Sequence, residues 1–387
     1  MSGNNFIKSI KMQNLLSFGE DPVEIKLNSL NVLIGANGSG KSNLIDVISI
    51  LQSAPRDIDA PFRKSGGFQS WVWRNSENNN QQIRIETVTS YIDVILHDED
   101  EPLVYYINIA DTAFIRMHEI ISNYNNRDKV YYDSVEGELL VGGKITKLDY
   151  NEINIDQSVL SQLKGSSYRV LSFLGKHFES IKIYRDWSFG RNTITRQPQP
   201  VDARNDFLAE DFSNLALVLN NLKMDVKSKN EIKRLLKEFY SGIEDFETSF
   251  NMGQIQLYLQ ENDYQIPATR LSDGTLRYLC LLAILCHPKP PALICIEEPE
   301  LGMHPDMIPT LAKLLKEASQ KTQLIITTHS DILIDALSDS PEDVLVFEKH
   351  NGVTSVKRLE REPLKEWLNE YSLGELWRKG EIGGNRW

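Results

Sequence analysis

Both ends of the chain contain short runs of continuously apolar residues that alternate with helical patterns. An apolar run at 31–34 precedes a glycine-rich stretch and an apolar-striped helix predicted over 41–51. Two further apolar strands, at 292–296 and 324–327, follow a helix predicted over 275–286. Strands that are apolar along their whole length and joined by helices are typical of a parallel sheet buried on both faces. We therefore predict an α/β domain built from both ends of the chain.

The middle of the chain has a different pattern. Residues 82–155 carry β-branched and aromatic residues separated by turn signals, which predicts antiparallel hairpins, with a helix near 114–122. Helical periodicity returns at 156–177 and 206–248. The polar, arginine-rich stretch between them, 184–206, is predicted to be a loop. A last hairpin is predicted over 344–359, turned by the Asn-Gly pair at 351 and 352.

Composition narrows the class of protein. The chain has 387 residues, of which 41% are hydrophobic and 25% charged, as expected of a globular protein in water. Cys280, Cys286 and Cys295 lie in apolar segments without a CxxC pair, which predicts buried thiols in a reducing compartment. Because the sequence has no pattern of a membrane span or signal peptide, we expect a cytoplasmic protein. The net charge of −12 argues against a surface that coats nucleic acid, but leaves a local basic patch possible.

The glycine-rich stretch GANGSGKS, residues 35–42, fits the G-x-x-x-x-G-K-[ST] phosphate loop between a strand and a helix. In such loops backbone N–H groups surround phosphate oxygens, the lysine reaches the β and γ phosphates, and the hydroxyl ligates Mg²⁺. The predicted nucleotide contacts are Gly35, Asn37, Gly38, Ser39, Gly40, Lys41, Ser42 and Asn43. This loop predicts a nucleoside triphosphate site without separating GTPases, kinases, transporter ATPases and chromosome-maintenance ATPases.

The apolar run ALICI ends at the acidic cluster EEPE. A phosphate loop needs a carboxylate on the metal side and a base for the attacking water. We assign these roles to Glu297 and Glu298 respectively, so that Ser42 and Glu297 are the predicted metal-side residues. Glu300, beyond the proline, is expected in the turn toward His304 and at a dimer interface.

Two further motifs resemble those of ABC-type ATPases. The sequence RLSDGTLR, 270–277, is similar to the LSGGQ signature, and LIITTHS ends at His329, where that family has its switch histidine. The opening I-K-x-x-N-x-x-S-F and the EEPE followed by HP resemble the RecF, SMC and OLD-type branch. The resemblance implies that Ser272, Gly274 and Thr275 contact the γ-phosphate held by an opposite subunit, and that His329 contacts it within its own subunit.

The resemblance also implies a fold: a P-loop NTPase head of ABC type, with a mostly parallel sheet, an antiparallel β-subdomain and an inserted helical lobe. We divide the chain into a nucleotide-binding lobe at 1–60 and 265–387, a β-rich part at 61–155 and a signature lobe at 156–264. Three residues depart from the family pattern, namely Glu297 and His304 in place of Asp and Asp273 in place of Gly. The glutamine of the Q-loop is not placed, and Gln69 and Gln82 are its candidates.

The function implied by this resemblance is ATP hydrolysis with Mg²⁺ in a homodimer that holds two ATP molecules head to tail. We expect it to serve DNA maintenance or anti-phage defence. A nuclease or toxin effector would be a separate chain, because the residues after His329 are too few for the nuclease domain of OLD-type ATPases. The candidate contacts to DNA phosphates are Arg63, Lys64, Arg74, Arg185, Arg191, Arg196 and Arg204.

Two alternatives remain open at this point. One is a slowly hydrolysing, ATP-dependent scaffold that sequesters an effector protein, which an intact Glu298 disfavours. The other is a transporter ATPase subunit, which the long insertion disfavours. A GTPase would need an N-K-x-D motif, which this sequence lacks. A small-molecule kinase would leave the LSDGT motif without a role.

Overall fold

The computed structural model describes residues 5–74, 82–89, 102–111, 115–141, 144–147, 153–154 and 156–384. The strands are β1 (Ile7–Gln13), β2 (Val23–Lys26), β3 (Leu30–Gly35), β4 (Gln82–Thr89), β5 (Leu103–Asp111), β6 (Ile115–Asn123), β7 (Val130–Asp133), β8 (Glu138–Val141), β9 (Lys144–Lys147), β10 (Lys182–Tyr184), β11 (Gln199–Pro200), β12 (Ile243–Asn251), β13 (Gln254–Glu261), β14 (Tyr264–Pro267), β15 (Leu293–Glu297), β16 (Gln323–Thr327), β17 (Val344–His350) and β18 (Val353–Arg358). The helices are α1 (Lys41–Ser53), α2 (Ala60–Lys64), α3 (Val159–Gln162), α4 (Arg169–Ser180), α5 (Leu215–Leu222), α6 (Val226–Phe239), α7 (Asp273–Leu285), α8 (Ile308–Ala318), α9 (Asp331–Asp335), α10 (Arg361–Leu364) and α11 (Leu373–Lys379). Within these ranges no helix combines the length and the apolar character that crossing a membrane requires.

The centre of the fold is a six-stranded sheet with the order β10-β15-β16-β3-β17-β18. Its strands are parallel from β10 to β17, and only β18 pairs antiparallel, as the second arm of the predicted C-terminal hairpin. The mostly parallel sheet predicted from the two ends of the chain is confirmed. Strand β10 is an addition, because its last residue, Tyr184, opens the stretch predicted as a loop. Three residues are too few for hydrophobic periodicity to reveal a strand.

Both faces of this sheet are covered. Val32 and Ile34 of β3 point into one buried cluster, which includes the helix α7, whereas Leu33 points into another that includes α1. Alternation along a strand sends successive side chains to opposite faces, so both layers depend on the same short strand. The three cysteines are free and buried as predicted, and burial raises the pKa of the Cys286 thiol to about 12.

The predicted hairpins in the middle of the chain form an antiparallel sheet with the order β2-β1-β4-β5-β6-β7-β8-β9. The helix predicted near 114–122 is wrong. Residues 115–122 lie in β6, which pairs with β5 along its whole length, while Phe114 lies outside the described residues. Met117 and Ile121 are buried on one face of β6, and a spacing of four fits both a helix and a strand. The hydrogen bonds to β5 therefore decided between the helical period and the strand period.

A third, smaller sheet contains β11, β13, β12 and β14 and packs beside α5 and α6. The helical periodicity predicted for 206–248 is confirmed for α5 and α6. It is wrong for 243–248, which begin β12 and pair with β13. The hairpin between β12 and β13 therefore lies where the sequence predicted the end of a helical segment.

Candidate functional site

The candidate site lies at one edge of the parallel sheet. Strands β15, β16 and β3 are neighbours and end at Glu297, Thr327 and Gly35. The carboxyl ends of parallel strands meet at the same edge, and ligands of open α/β sheets bind there. The phosphate loop, the acidic cluster and the histidine motif, which are far apart in the sequence, are thereby brought together.

The phosphate loop holds the ammonium group of Lys41 on its inner side. Lys41 is the first residue of α1 and is buried. Its Nζ donates to the carbonyl oxygens of Gly35 at 2.8 Å and Ala36 at 3.1 Å. Burial lowers the pKa of Lys41 to about 8, against the opposing influence of Glu298 and Glu297. The loop carbonyls thus occupy two of the three N–H donors of Lys41 in this conformation.

The phosphate loop is supported from behind by two residues that the sequence did not single out. Thr354 of β18 donates to the Ser39 carbonyl at 2.8 Å and contacts the Ser17 hydroxyl at 2.6 Å, and Asn43 donates to the same hydroxyl at 2.6 Å. Gly40 has a φ of 105°, and a Cβ there would lie 2.7 Å from Ser17 Oγ. Only glycine fits this left-handed, closely approached position. Ser17 belongs to the opening motif of the chain, which was the available signal.

Glu297 is a half-buried carboxylate with unused hydrogen-bonding capacity. Its Oε2 lies 3.4 Å from the Ser42 hydroxyl, while its Oε1 is buried without a hydrogen-bond partner, 3.7 Å from Arg185 Nε. Burial raises the pKa of Glu297, and the charge of Arg185 opposes this shift. Sequence reasoning placed Arg185 on a DNA-binding surface; instead it also pairs with Asp46 at 2.6 Å inside the site.

The oxygen atoms of Ser42 and Glu297 fit a magnesium ion. Mg²⁺ prefers oxygen ligands and is commonly held by one or two carboxylates together with substrate phosphates. Among the described residues no group of three His, Cys, Asp or Glu side chains could hold a metal by itself. The pair therefore suits an ion shared with a bound phosphate rather than an ion enclosed by protein.

Glu298 follows the last residue of β15 in a strained conformation. Its φ is 47°, which is uncommon for a residue with a side chain and costs on the order of 1–3 kcal/mol. Its backbone N–H donates to the Thr327 carbonyl at 2.9 Å, and its carbonyl accepts from Arg277 at 3.2 Å. These contacts hold the turn that points the Glu298 carboxylate out of the sheet edge, where 42% of the side chain is exposed.

The structure brings His329 to the same place. Its Nε2 lies 3.9 Å from Glu298 Oε1, a distance that leaves room for movement but no hydrogen bond. Burial lowers the pKa of His329, and the nearby charge of Lys41 lowers it further, while Glu298 opposes both. The imidazole is therefore neutral at pH 7 and carries one N–H donor.

Glu300 differs from its predicted place at a dimer interface. Its side chain is buried, and its Oε1 accepts hydrogen bonds from the Thr328 hydroxyl at 2.6 Å and the His329 backbone N–H at 3.2 Å. Burial raises the pKa of Glu300. His304, by contrast, is exposed, and its ring lies 3.4 Å from Asp306. Glu300, which follows the proline after Glu298, therefore points inward and lies beneath the backbone of His329.

The signature residues, 272–275, are predicted site residues that the fold does not bring to the phosphate loop of the same chain. Ser272 caps α7, with its hydroxyl accepting from the Thr275 backbone N–H at 3.1 Å. Ser272 and Asp273 are exposed, and Gly274 lies against the Gly302 carbonyl. In the part of the chain that the structure describes, no hydrogen bond or ion pair joins residues 272–275 to residues 35–43.

Arg196, predicted to contact DNA, is instead buried behind the signature. Its guanidinium donates to the carbonyls of Phe189, Ala268 and Leu271 and pairs with Asp273. With three carbonyl partners and an ion pair, it is not available to a nucleic acid. Its contacts explain the replacement of a signature glycine by aspartate, since the aspartate supplies a partner for the buried charge.

Neither candidate for the Q-loop glutamine lies at this edge of the sheet. Gln69 is in a short 3-10 helix and Gln82 begins β4 of the antiparallel sheet. The strand that pairs with β15, and so lies beside Glu297, is β10. Trp187 follows β10, and its indole N–H donates to the Glu297 carbonyl at 2.7 Å. The guanidinium of Arg277 stacks on the Trp187 ring at 4.8 Å. In the sequence, the signal for these contacts at the site was the presence of aromatic residues in the otherwise polar stretch YRDWSF.

Comparisons with known proteins agree with this fold. A family profile described as "AAA domain, putative AbiEii toxin, Type IV TA system" matches residues 30–100 and 162–335, more than half of the chain. No curated protein matches the sequence of this chain.

Solved structures similar to the chain include three heads of SMC proteins. One, bound to the C-winged helix domain of ScpA, has a TM-score of 0.62 at 13% identity and covers 92% of this chain and 99% of its own. The Pyrococcus furiosus head, bound to the C-terminal domain of ScpA, has a TM-score of 0.58 at 14% identity, and the Pyrococcus yayanosii head 0.54 at 12%. Each covers 94% of this chain and 99% of its own. At such low identity the likeness shows a shared fold.

Proposed function

The chain belongs to this AAA-domain family and has the fold of an SMC head, and we propose that it binds ATP with Mg²⁺ and hydrolyses the ATP between two copies of itself. The observation that most supports this function is the meeting of Lys41, Glu297, Glu298 and His329 at one edge of the parallel sheet. A sheet edge that gathers a cation, two carboxylates and a neutral imidazole has the groups that phosphoanhydride hydrolysis needs.

For binding, the backbone N–H groups of residues 35–43 surround the phosphates, and Lys41 exchanges its carbonyl partners for the β and γ oxygens. Ser42 and Glu297 hold Mg²⁺, which when bound neutralises phosphate charge and polarises the γ-phosphoryl group. Oε1 of Glu297 supports this assignment, because it is buried without a hydrogen-bond partner, 3.7 Å from Arg185 Nε.

For hydrolysis, Glu298 orients a water molecule and accepts its proton, because its half-exposed carboxylate is the one that the strained turn points into the site. The neutral His329 donates its N–H to the γ-phosphate. Both side chains follow the ends of adjacent strands, so the sheet brings them to the same edge.

For dimerisation, the exposed N-terminus of α7 supplies the missing part of the site. Ser272 is exposed and its hydroxyl caps the Thr275 backbone N–H, and a helix N-terminus of this kind favours a phosphate. Since these residues do not contact their own phosphate loop, a second copy placed head to tail would bring them to the γ-phosphate. Two ATP molecules would then lie between two chains, and hydrolysis would release the pair.

The test is the size of the protein with and without ATP. We expect Glu298→Gln to remain a dimer in ATP and Mg²⁺, while Lys41→Ala stays a monomer and binds no ATP, as measured by light scattering after size exclusion. Asp306→Asn, an exposed carboxylate in the same turn, is the matched control and should behave as the wild type. Monomers for every variant under every condition would contradict the dimer, and an absence of phosphate release by the wild type would contradict hydrolysis.

We further propose that this cycle regulates a separate effector chain in DNA maintenance or anti-phage defence. The family description names a toxin system, and two of the SMC heads that resemble this fold were solved with a domain of ScpA bound to them. Purification of the Glu298→Gln and Lys41→Ala variants from the native host, with and without nuclease treatment, would identify protein and nucleic acid that associate only with the ATP-bound form. Equal recovery with both variants would argue against an ATP-dependent partner.

A further inference from the structure

We propose that Glu300 is a positioning residue that holds the switch histidine, His329, against the γ-phosphate. This inference rests on the proposed ATPase function and adds a residue to it. The two preceding glutamates have proposed roles at the metal and at the attacking water, whereas the hydrogen bonds of the Glu300 carboxylate go to Thr328 and His329. Its contacts are with the segment that carries the imidazole.

A single carboxylate oxygen orders the short connection between β16 and α9. That connection has three residues, Thr328, His329 and Ser330. Oε1 of Glu300 accepts the Thr328 hydroxyl at 2.6 Å and the His329 backbone N–H at 3.2 Å, and Oγ1 of Thr328 in turn accepts the Ser330 N–H at 3.0 Å. All three residues of the connection are thereby fixed, directly or through one hydroxyl, to Glu300.

The surroundings of Glu300 leave these donors no substitute. Glu300 is 9% exposed and Thr328 fully buried, so water cannot readily replace the carboxylate. Charge on a buried acceptor strengthens the hydrogen bonds that it receives. Without Glu300, a hydroxyl and a backbone N–H would face a buried space, and the connection would move to find other partners.

Such a movement would reach His329 directly, because the bonded N–H is attached to the Cα that carries the imidazole. The ring already stands 3.9 Å from Glu298, with no hydrogen bond to fix it there. Its placement therefore depends on the backbone beneath it. A misplacement of about 1 Å is enough to lower a rate on the order of 10²-fold.

The test is a double-mutant cycle on steady-state ATP hydrolysis by the full chain. We expect Glu300→Ala to lower kcat on the order of 10–10²-fold while KM for ATP changes by less than about threefold, since the phosphate loop is untouched. In the His329→Ala background, Glu300→Ala should cause no further loss, because it acts only through the imidazole. Glu300→Gln should restore most of kcat, because its amide oxygen can accept both hydrogen bonds. Asp306→Asn is the exposed control.

Three results would overturn the inference. They are an unchanged kcat for Glu300→Ala, losses for Glu300→Ala and His329→Ala that multiply in the double variant, and a Gln variant as impaired as the Ala variant. If Glu300→Ala does not fold, Thr328→Val removes one of the two donors, and its smaller loss should also vanish in the His329→Ala background. A wild-type protein that releases no phosphate would overturn the proposed function as well, which separates that failure from the failure of Glu300 alone.

Discussion

A buried and a half-buried glutamate in different sheets show how the same side chain serves structure in one place and leaves capacity for a ligand in another. Glu119 of β6 accepts hydrogen bonds from the Tyr105 and Ser158 hydroxyls, both at 2.6 Å, and from the Val159 backbone N–H at 2.7 Å. Burial raises the pKa of Glu119. Every oxygen of this carboxylate has a partner, so it ties α3 to the antiparallel sheet and has no capacity for a ligand.

Glu297, at the end of β15, is arranged in the opposite way. It has one long contact with the Ser42 hydroxyl, and its Oε1 is buried without a hydrogen-bond partner. A buried polar atom without a partner is costly and calls for an explanation such as an ion or a ligand. The two acids therefore differ in burial and in hydrogen bonding, because Glu119 is buried with both oxygens satisfied, whereas Glu297 is half-buried and has one oxygen without a hydrogen-bond partner.

The two sheets explain where each acid lies. Antiparallel strands alternate in direction, so the ends of β4 to β9 are divided between two edges. Parallel strands all end at one edge, which collects the residues that follow β3, β15 and β16. The parallel sheet therefore assembles a site from distant motifs, and the antiparallel sheet assembles a scaffold.

The largest effect is expected at the parallel edge, from Glu298→Gln. We expect this change to lower kcat for ATP hydrolysis on the order of 10³-fold, because an amide cannot take the proton of the attacking water. The melting temperature should stay close to that of the wild type, since the side chain is partly exposed. Phosphate release and thermal unfolding measured on one preparation would check both. A variant that retains normal turnover would remove Glu298 from the mechanism.

The counterpart in the antiparallel sheet is Glu119→Leu. We expect it to lower the free energy of unfolding by about 3 kcal/mol, because two hydroxyls and a backbone N–H lose their acceptor in a buried place. Turnover per folded molecule should not change. Urea unfolding and ATP hydrolysis are the measurements, and Glu136→Ala, an exposed acid of the same sheet, is the control. A selective loss of kcat would mean that the two sheets do not divide structure and function in this way.

A smaller effect is expected from Arg196→Met, which keeps the length of the side chain but removes its donors to Phe189, Ala268 and Leu271. The signature loop should become less ordered, and kcat should fall roughly tenfold, equivalent to about 1.4 kcal/mol in the barrier. ATP affinity of the isolated chain should stay unchanged, since the phosphate loop is elsewhere. Arg204→Met, an exposed arginine, is the matched control, and an equal effect of both changes would contradict a specific role for Arg196.

The smallest effect is expected in the turn of the β17–β18 hairpin. There β17, which pairs parallel with β3, turns back to pair antiparallel with β18. Gly352 has a φ of 84° with no atom within 4 Å of a built Cβ, so Gly352→Ala should lower the unfolding free energy by about 1 kcal/mol through backbone strain alone. Gly190→Ala, also in open space but with an ordinary φ, should have little effect. Equal losses at the two positions, measured by thermal unfolding, would rule out strain as the cause.

The sequence by itself determined the elements whose signals are local. The phosphate loop is a continuous motif between a strand and a helix, and the apolar runs of β3, β15 and β16 are fully buried strands. It failed where one spacing fits two periods, as in β6, and where a helical pattern ran on into β12. In both places hydrogen bonds to a neighbouring strand, which the local pattern does not contain, decided the outcome.

Only the tertiary structure decided which polar residues support the site. Glu300 turns inward to His329, and Arg196 turns inward to the signature, although sequence reasoning assigned both to surfaces. The contact between Thr354 and Ser17 behind the phosphate loop joins residues 337 positions apart. Such contacts leave no periodic trace in the chain, because a single polar side chain is fixed by the partners that the fold brings to it, and not by its neighbours in sequence.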